Sequence, residues 1–117
     1  MAERERLICD SAALAECGKG VRFEIARAPG EERGFAIRHL GKVHGYVNRC
    51  PHTGTELDWQ LGEFFDLAGL YLVCSTHGAI FEPKTGLCVA GPCRGASLEP
   101  LAVREQGGEV FLLDEEP

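Results

Sequence analysis

The sequence predicts an all-β fold, and three observations carry that prediction. Fifteen Gly and six Pro are scattered through 117 residues as turn punctuation, which suits a chain that reverses often. Stretches such as "VRFEIARA" alternate apolar and polar residues with period two, the repeat of a strand with one buried face. Short turn signals then separate one alternating run from the next, as in a series of hairpins.

From the N-terminus, "LICDSAALAECGKG" reads as a strand end and one or two helical turns, with Asp10 or Ser11 as N-cap and Gly18 as the stop. In "VRFEIARA", Val21, Phe23 and Ile25 face one way. "GEE" turns the chain into "GFAIRHL", and "GK" turns it again into "VHGYV". After "TELDWQLG" a strand pair is expected from "EFFDL" and "LYLVC", turning at Ala68–Gly69. "GAIFEP" and "LCVA" form a third hairpin around "KTG", and Gly91–Pro92 breaks the run. Two last strands meet at Gly107–Gly108, and the acidic "DEEP" end is expected to be solvated.

Composition narrows the class. With 44% apolar and 26% charged residues, the chain is globular rather than disordered. Its length fits one domain, residues 1–117. A formal charge of −6 argues against nucleic acid, which needs a basic face, and suits docking on a basic patch of another protein. No apolar run approaches the roughly 20 residues that cross a bilayer, so no membrane is expected. "MAERERLICD" has no apolar stretch of the kind a secretory signal carries, which makes the cytoplasm the expected location. Six Cys in that compartment are expected as ligands or thiols rather than as a disulfide framework.

Two short pieces carry the chemistry. "CPHTG" at 50–54 and "CSTHG" at 74–78 each set a thiol beside an imidazole. Cys50, His52, Cys74 and His77 together make a four-ligand set on the loops of adjacent hairpins. Zinc accepts two Cys and two His, and so does a [2Fe–2S] cluster in which two His replace two Cys on one iron. Zinc fingers usually group Cys with Cys and His with His along the chain. Here each loop offers one of each, a mixture that a binuclear cluster explains.

With these boxes the sequence resembles the Rieske-type [2Fe–2S] proteins, most of all the small soluble Rieske ferredoxins of bacterial oxygenase systems. "HGAIFEPKTGLCVAGPC" matches that family's run from the second box onward, and the likeness is strongest over residues 40–103. The interval between the boxes is long for the family, which "DWQLGEFFD" accounts for. The resemblance implies a Rieske-type antiparallel β-sandwich, with a smaller cluster-binding subdomain of hairpin loops, about residues 47–94, inserted in the outer sheets. It implies one [2Fe–2S] cluster per chain, with Cys50 and Cys74 on one iron, His52 and His77 on the outer one, and Gly91–Pro92 shielding a third side. Such a cluster carries two fewer negative charges than an all-Cys one, so an added electron meets less repulsion, and potentials span roughly −150 to +300 mV.

Departures from the family place this chain within that range. The high-potential branch joins an extra Cys in each box by a disulfide, and the matching positions here are Thr55 and Thr76. That branch also aims two hydroxyls at the cluster from positions that here hold Ala79 and Phe81. Lost donors destabilise the more negative reduced state, so a potential in the lower half of the range is expected; a midpoint above about +150 mV would contradict it.

The remaining candidates have plainer readings. Cys88 and Cys93 flank the Gly-Pro loop and are expected as small semi-buried residues beside the cluster; Cys9 and Cys17 are expected as buried thiols. His39 and His44 exceed the four ligands and are expected as exposed residues at strand ends. Leu57, Trp59 and Phe64 are expected as an apolar shell that keeps water from the cluster.

The resemblance implies a soluble one-electron carrier that takes an electron from a flavin-dependent ferredoxin reductase and passes it to a terminal oxygenase or other oxidoreductase. It would be a monomer, not catalytic alone, docking through the tip around His52 and His77. The runner-up is a small Rieske subunit of a larger oxidoreductase of the nitrite-reductase type, and a structural zinc module is third.

Overall fold

A computed structural model describes residues 3–27, 30–51, 56–58, 60–66, 68–74, 78–92 and 94–115. Among the described residues, ten strands account for nearly all the regular structure: β1 (Glu3–Asp10), β2 (Val21–Arg27), β3 (Gly30–His39), β4 (Lys42–Val47), β5 (Leu72–Val73), β6 (Ile80–Phe81), β7 (Cys88–Ala90), β8 (Pro100–Leu101), β9 (Val103–Gln106) and β10 (Glu109–Glu115). They form three antiparallel sheets, ordered β1-β10-β9, β2-β3-β4-β8 and β5-β6-β7. Only Ala102 separates β8 from β9, so the chain passes from the second sheet into the first there. Among the described residues no helix is long and apolar enough to cross a membrane.

Strand β3 shows how the sequence builds two cores at once. Phe35, Ala36 and Ile37 are each 0% exposed. Successive side chains of a strand point to opposite faces. Phe35 and Ile37 therefore join one cluster, with Tyr46, Leu72 and Phe81, while Ala36 joins another, with Leu14, Val43 and Val110. Val21 and Phe23 pack together on that second cluster, and Ile25 is buried, in keeping with the expected one-sided face of β2.

Several local expectations shift. The helical turns shrink to one 3-10 turn, Ser11–Ala13, without a side-chain cap. Arg38 Nε donates to the Leu14 carbonyl at 2.7 Å, and the Cys17 N–H donates to the Arg38 carbonyl at 2.8 Å, so β3 takes groups a longer helix would use. "GEE" is not a turn: β2 and β3 pair through to Arg27↔Gly30, which puts Gly30–Glu32 in the strand. The β3–β4 turn falls one residue earlier than "GK", on Leu40 and Gly41, at φ 53 and 77°. A two-residue hairpin loop favours positive φ at both positions. Leu40 is held there by the Glu16 carboxylate, which accepts the N–H of Leu40 and, at 2.8 Å, of Gly41. The Gly41 N–H above all holds that carboxyl below its ordinary range.

The expected "EFFDL" strand is reduced to a bridge, Phe65↔Leu72, because Asp66 ends it. Its carboxylate accepts the N–H groups of Leu70 at 2.9 Å and Tyr71 at 3.4 Å, curling the chain around Gly69 at φ 71°. At the other end, β10 runs on through Asp114 and Glu115, opposite Arg4 and Glu3.

Candidate metal centre

The first cysteine loop leaves the end of β4. The Asn48 N–H donates to the Arg33 carbonyl at 2.7 Å, and two residues later Cys50 is 0% exposed. The chain returns at Leu57, whose N–H donates to Asn48 Oδ1 at 2.8 Å. Asn48 Nδ2 donates to Asp58 Oδ1 at 2.9 Å, and Asp58 Oδ2 accepts the Gly62 N–H at 2.9 Å. Both side chains are buried. Arg22 Nε lies 3.2 Å from Asp58 Oδ2 as an ion pair, although it is not aimed for a hydrogen bond. The same guanidinium donates to Glu56 at 2.7 Å, and Glu56 also accepts from Arg33 at 3.2 Å.

The second loop joins β5 to β6 and is smaller. Cys74 is 0% exposed; its N–H donates to the Ala79 carbonyl at 2.9 Å, and its carbonyl accepts the Gly78 N–H at 2.8 Å. Gly78 has φ 74°, a left-handed conformation costly for any residue with a Cβ. Ala79 and Phe81 come next, both 0% exposed, so the positions expected to lack hydroxyl donors are buried and apolar. Gly91, at φ 98°, lies against this loop so closely that a Cβ there would come 2.9 Å from the Ala79 Cα. The Gly-Pro loop thus rests on the end of the second box, at Gly78 and Ala79.

Both cysteines belong to one apolar cluster that includes Phe35, Leu57, Phe64, Ala79, Phe81 and Leu98. Leu57 and Phe64 form the shell expected of them, and Phe64 stacks on Phe35 with ring centroids 3.9 Å apart. The chemistry of these donors fits an iron–sulfur cluster: two thiols, soft donors, are carried by two loops into one apolar cluster that excludes water. His52 and His77 lie outside the described residues, as do Thr55, Trp59, Thr76 and Cys93. Among the described residues, accordingly, no group of three or more His, Cys, Asp or Glu is placed to hold a metal ion.

The other candidates divide. Cys88 is buried in the same cluster, its thiol donating to the Ala90 carbonyl at 3.2 Å. Cys9 and Cys17 are half-buried rather than buried, away from the cysteine loops; burial raises both thiol pKa values, helped at Cys9 by Asp10 and at Cys17 by Glu16. His39 and His44 are half-buried, not exposed. His39 stacks on Phe65 at 6.1 Å, and burial, then Lys42, lowers the pKa of His44.

Sequence reasoning missed Asn48 and Asp58, whose only signal was their nearness to the first box, and Arg22 of β2, which carried none. It also missed Tyr46, whose hydroxyl donates to the Pro83 carbonyl at 2.7 Å and whose pKa is pushed up to about 12 by burial.

The all-β frame brings two loop cysteines, Cys50 and Cys74, into one dry cluster. The model of the Rieske [2Fe-2S] domain matches residues 7–110, and the chain belongs to that family, which implies one [2Fe–2S] cluster per chain. No curated protein matches the chain. Among solved structures, the ferredoxin of carbazole 1,9a-dioxygenase from Nocardioides aromaticivorans IC177 is 22% identical with a TM-score of 0.72, over 95% of this chain and 98% of that one. The terminal oxygenase of carbazole 1,9a-dioxygenase from Novosphingobium sp. KA1 is 24% identical with a TM-score of 0.73, over 97% of this chain but 31% of that one. A chain in the complex of reduced oxygenase and oxidized ferredoxin in carbazole 1,9a-dioxygenase is 19% identical with a TM-score of 0.71, over 97% of this chain and 95% of that one. The chain therefore spans about a third of the oxygenase and nearly all of the ferredoxin. At these identities the likeness shows a shared fold.

Proposed function

We propose that this protein is a soluble one-electron carrier, a Rieske ferredoxin that takes an electron from a flavin-dependent reductase and delivers it to a terminal oxygenase. The observation that carries this reading is the convergence of Cys50 and Cys74, both fully buried, from two loops into one apolar cluster. Cys50 and Cys74 would hold one iron through thiolates, and His52 and His77 would hold the other. When bound, the cluster takes up and returns one electron at a potential tuned by the protein around it.

The chain's own residues set the conditions for that transfer. Leu57, Phe64 and Phe81 exclude water from the cysteine side. Ala79 and Phe81 withhold hydroxyl donors, which favours the lower half of the family's range. Tyr46 keeps its proton and directs it to Pro83.

The oxygenase as acceptor is supported by the known complex of oxygenase and ferredoxin in carbazole 1,9a-dioxygenase. The carrier reading is supported by end-to-end likeness to a ferredoxin chain. The proposed organisation is a single domain, residues 1–117, with a cluster-binding subdomain at about 47–94, acting as a cytoplasmic monomer that docks through the tip around His52 and His77.

The test is purification without air, then iron and acid-labile sulfide analysis. Equal amounts of both, a red-brown colour and a reduced-state spin signal are expected, with reductase-driven electron delivery to an oxygenase. A mononuclear or absent metal overturns the ligand set. A large partner retained in fixed proportion through purification would point to a subunit instead.

A further inference from the structure

We infer that Asn48 and Asp58 form a clasp that positions the first ligand loop, so that cluster retention and potential depend on them through the backbone that carries Cys50. The inference rests on the reading of Cys50 as a ligand. Asn48 stands two residues before Cys50, and its backbone N–H is fixed to Arg33 of β3 at 2.7 Å. Its side chain reaches across the neck of the loop: Oδ1 accepts the Leu57 N–H at 2.8 Å, and Nδ2 donates to Asp58 Oδ1 at 2.9 Å. Asp58 carries the tie onward, accepting from Gly62 at 2.9 Å and facing Arg22 of β2 at 3.2 Å. Both ends of the loop are thereby anchored to the central sheet.

The chemistry of the pair is specific. Leu57 N–H can only donate, and an ionised Asp58 can only accept, so the bridging group must offer one acceptor and one donor on a short stem. A primary amide does so. Asn48 and Asp58 are only 4% and 3% exposed, so water is a poor substitute for either partner. Groups that orient a ligand without binding metal typically change affinity or activity by about 10- to 100-fold when replaced.

The test compares the full chain, loaded without air, with N48D, N48A and the swapped pair N48D/D58N. Four quantities are read: bleaching rate in an iron chelator, reduced-state spin spectrum, midpoint potential and melting temperature. N48D sets two carboxylates together and should release the cluster at least about tenfold faster, with the spectrum and midpoint of the remaining loaded fraction displaced. The swap restores one donor and one acceptor across the neck and should return the rate and spectrum toward the native values. If N48D does not fold, N48A, which adds no charge, carries the same readings. Single variants that melt lower yet keep native release, spectrum and midpoint would overturn the clasp, as would a swap no better than N48D. A native chain without iron and sulfide would instead overturn the ligand reading beneath it.

Discussion

The two cysteine loops are tied off by different means. The first spans Asn48 to Leu57, and its neck is closed by a buried side chain. The second spans Cys74 to Ala79 and closes on its own backbone, with Gly78 supplying the left-handed residue. In the shorter loop, peptide groups meet across the neck. In the longer one, a side chain offering both donor and acceptor spans it. The first loop is thus exposed to changes in side-chain chemistry, the second to changes in backbone conformation.

The largest effect should remove the contrast altogether. Cys50→Ser and Cys74→Ser should each yield colourless protein without the reduced-state spin signal; full iron and sulfide in either variant would break the assignment of that loop. Next come two glycines that test the backbone-closed side. Gly91→Ala combines φ 98° with a Cβ 2.9 Å from the Ala79 Cα, and should cost about 3 kcal/mol in thermal unfolding. Gly78→Ala has φ 74° but, among the described residues, nothing within 4 Å of the new methyl, so strain alone should cost about 1 kcal/mol. Equal losses would mean the Gly-Pro loop does not bear on the second box.

A finer test asks what the second loop withholds. Ala79→Ser and Phe81→Tyr should each raise the midpoint by about 60 mV, the one-electron equivalent of one charge-assisted hydrogen bond. An unchanged midpoint would mean that these positions do not reach the sulfurs. The smallest effect lies away from both loops. Arg38 donates to Glu105 at 2.6 and 3.0 Å, and this holds the Glu105 carboxyl down at about 2. A depressed carboxylate stabilises the fold above its ordinary value of 4.5, and the benefit is lost as pH falls toward about 2. E105Q should therefore flatten the acid limb of the melting curve in that window and leave the midpoint potential unmoved.

Local repetition decided how much of the molecule was legible in its sequence. Alternation in "VRFEIARA" betrayed β2 because one face of it is buried, and the paired boxes betrayed the cysteine loops because each sets a Cys within three residues of a His. Asn48 and Asp58 stayed hidden because their partners lie nine and ten residues apart and no periodicity joins them. The helical turns were overestimated because Arg38, more than twenty residues on, takes the Leu14 carbonyl. "GEE" resembled a turn because its charges suit solvent, yet Glu32 sits in β3 opposite Ile25 and pairs with Arg49. Cys88 entered the apolar cluster because β7 directs it inward between the exposed Leu87 and Val89.

Strand β3 is a party wall, with Phe35 and Ile37 furnishing one room and Ala36 the other. Inserting or deleting a single residue there would send each side chain into the wrong room and spoil both together. Anyone transplanting the redox centre into another scaffold must accordingly carry this strand along, and the smallest portable unit is larger than the hairpins that hold the cysteines.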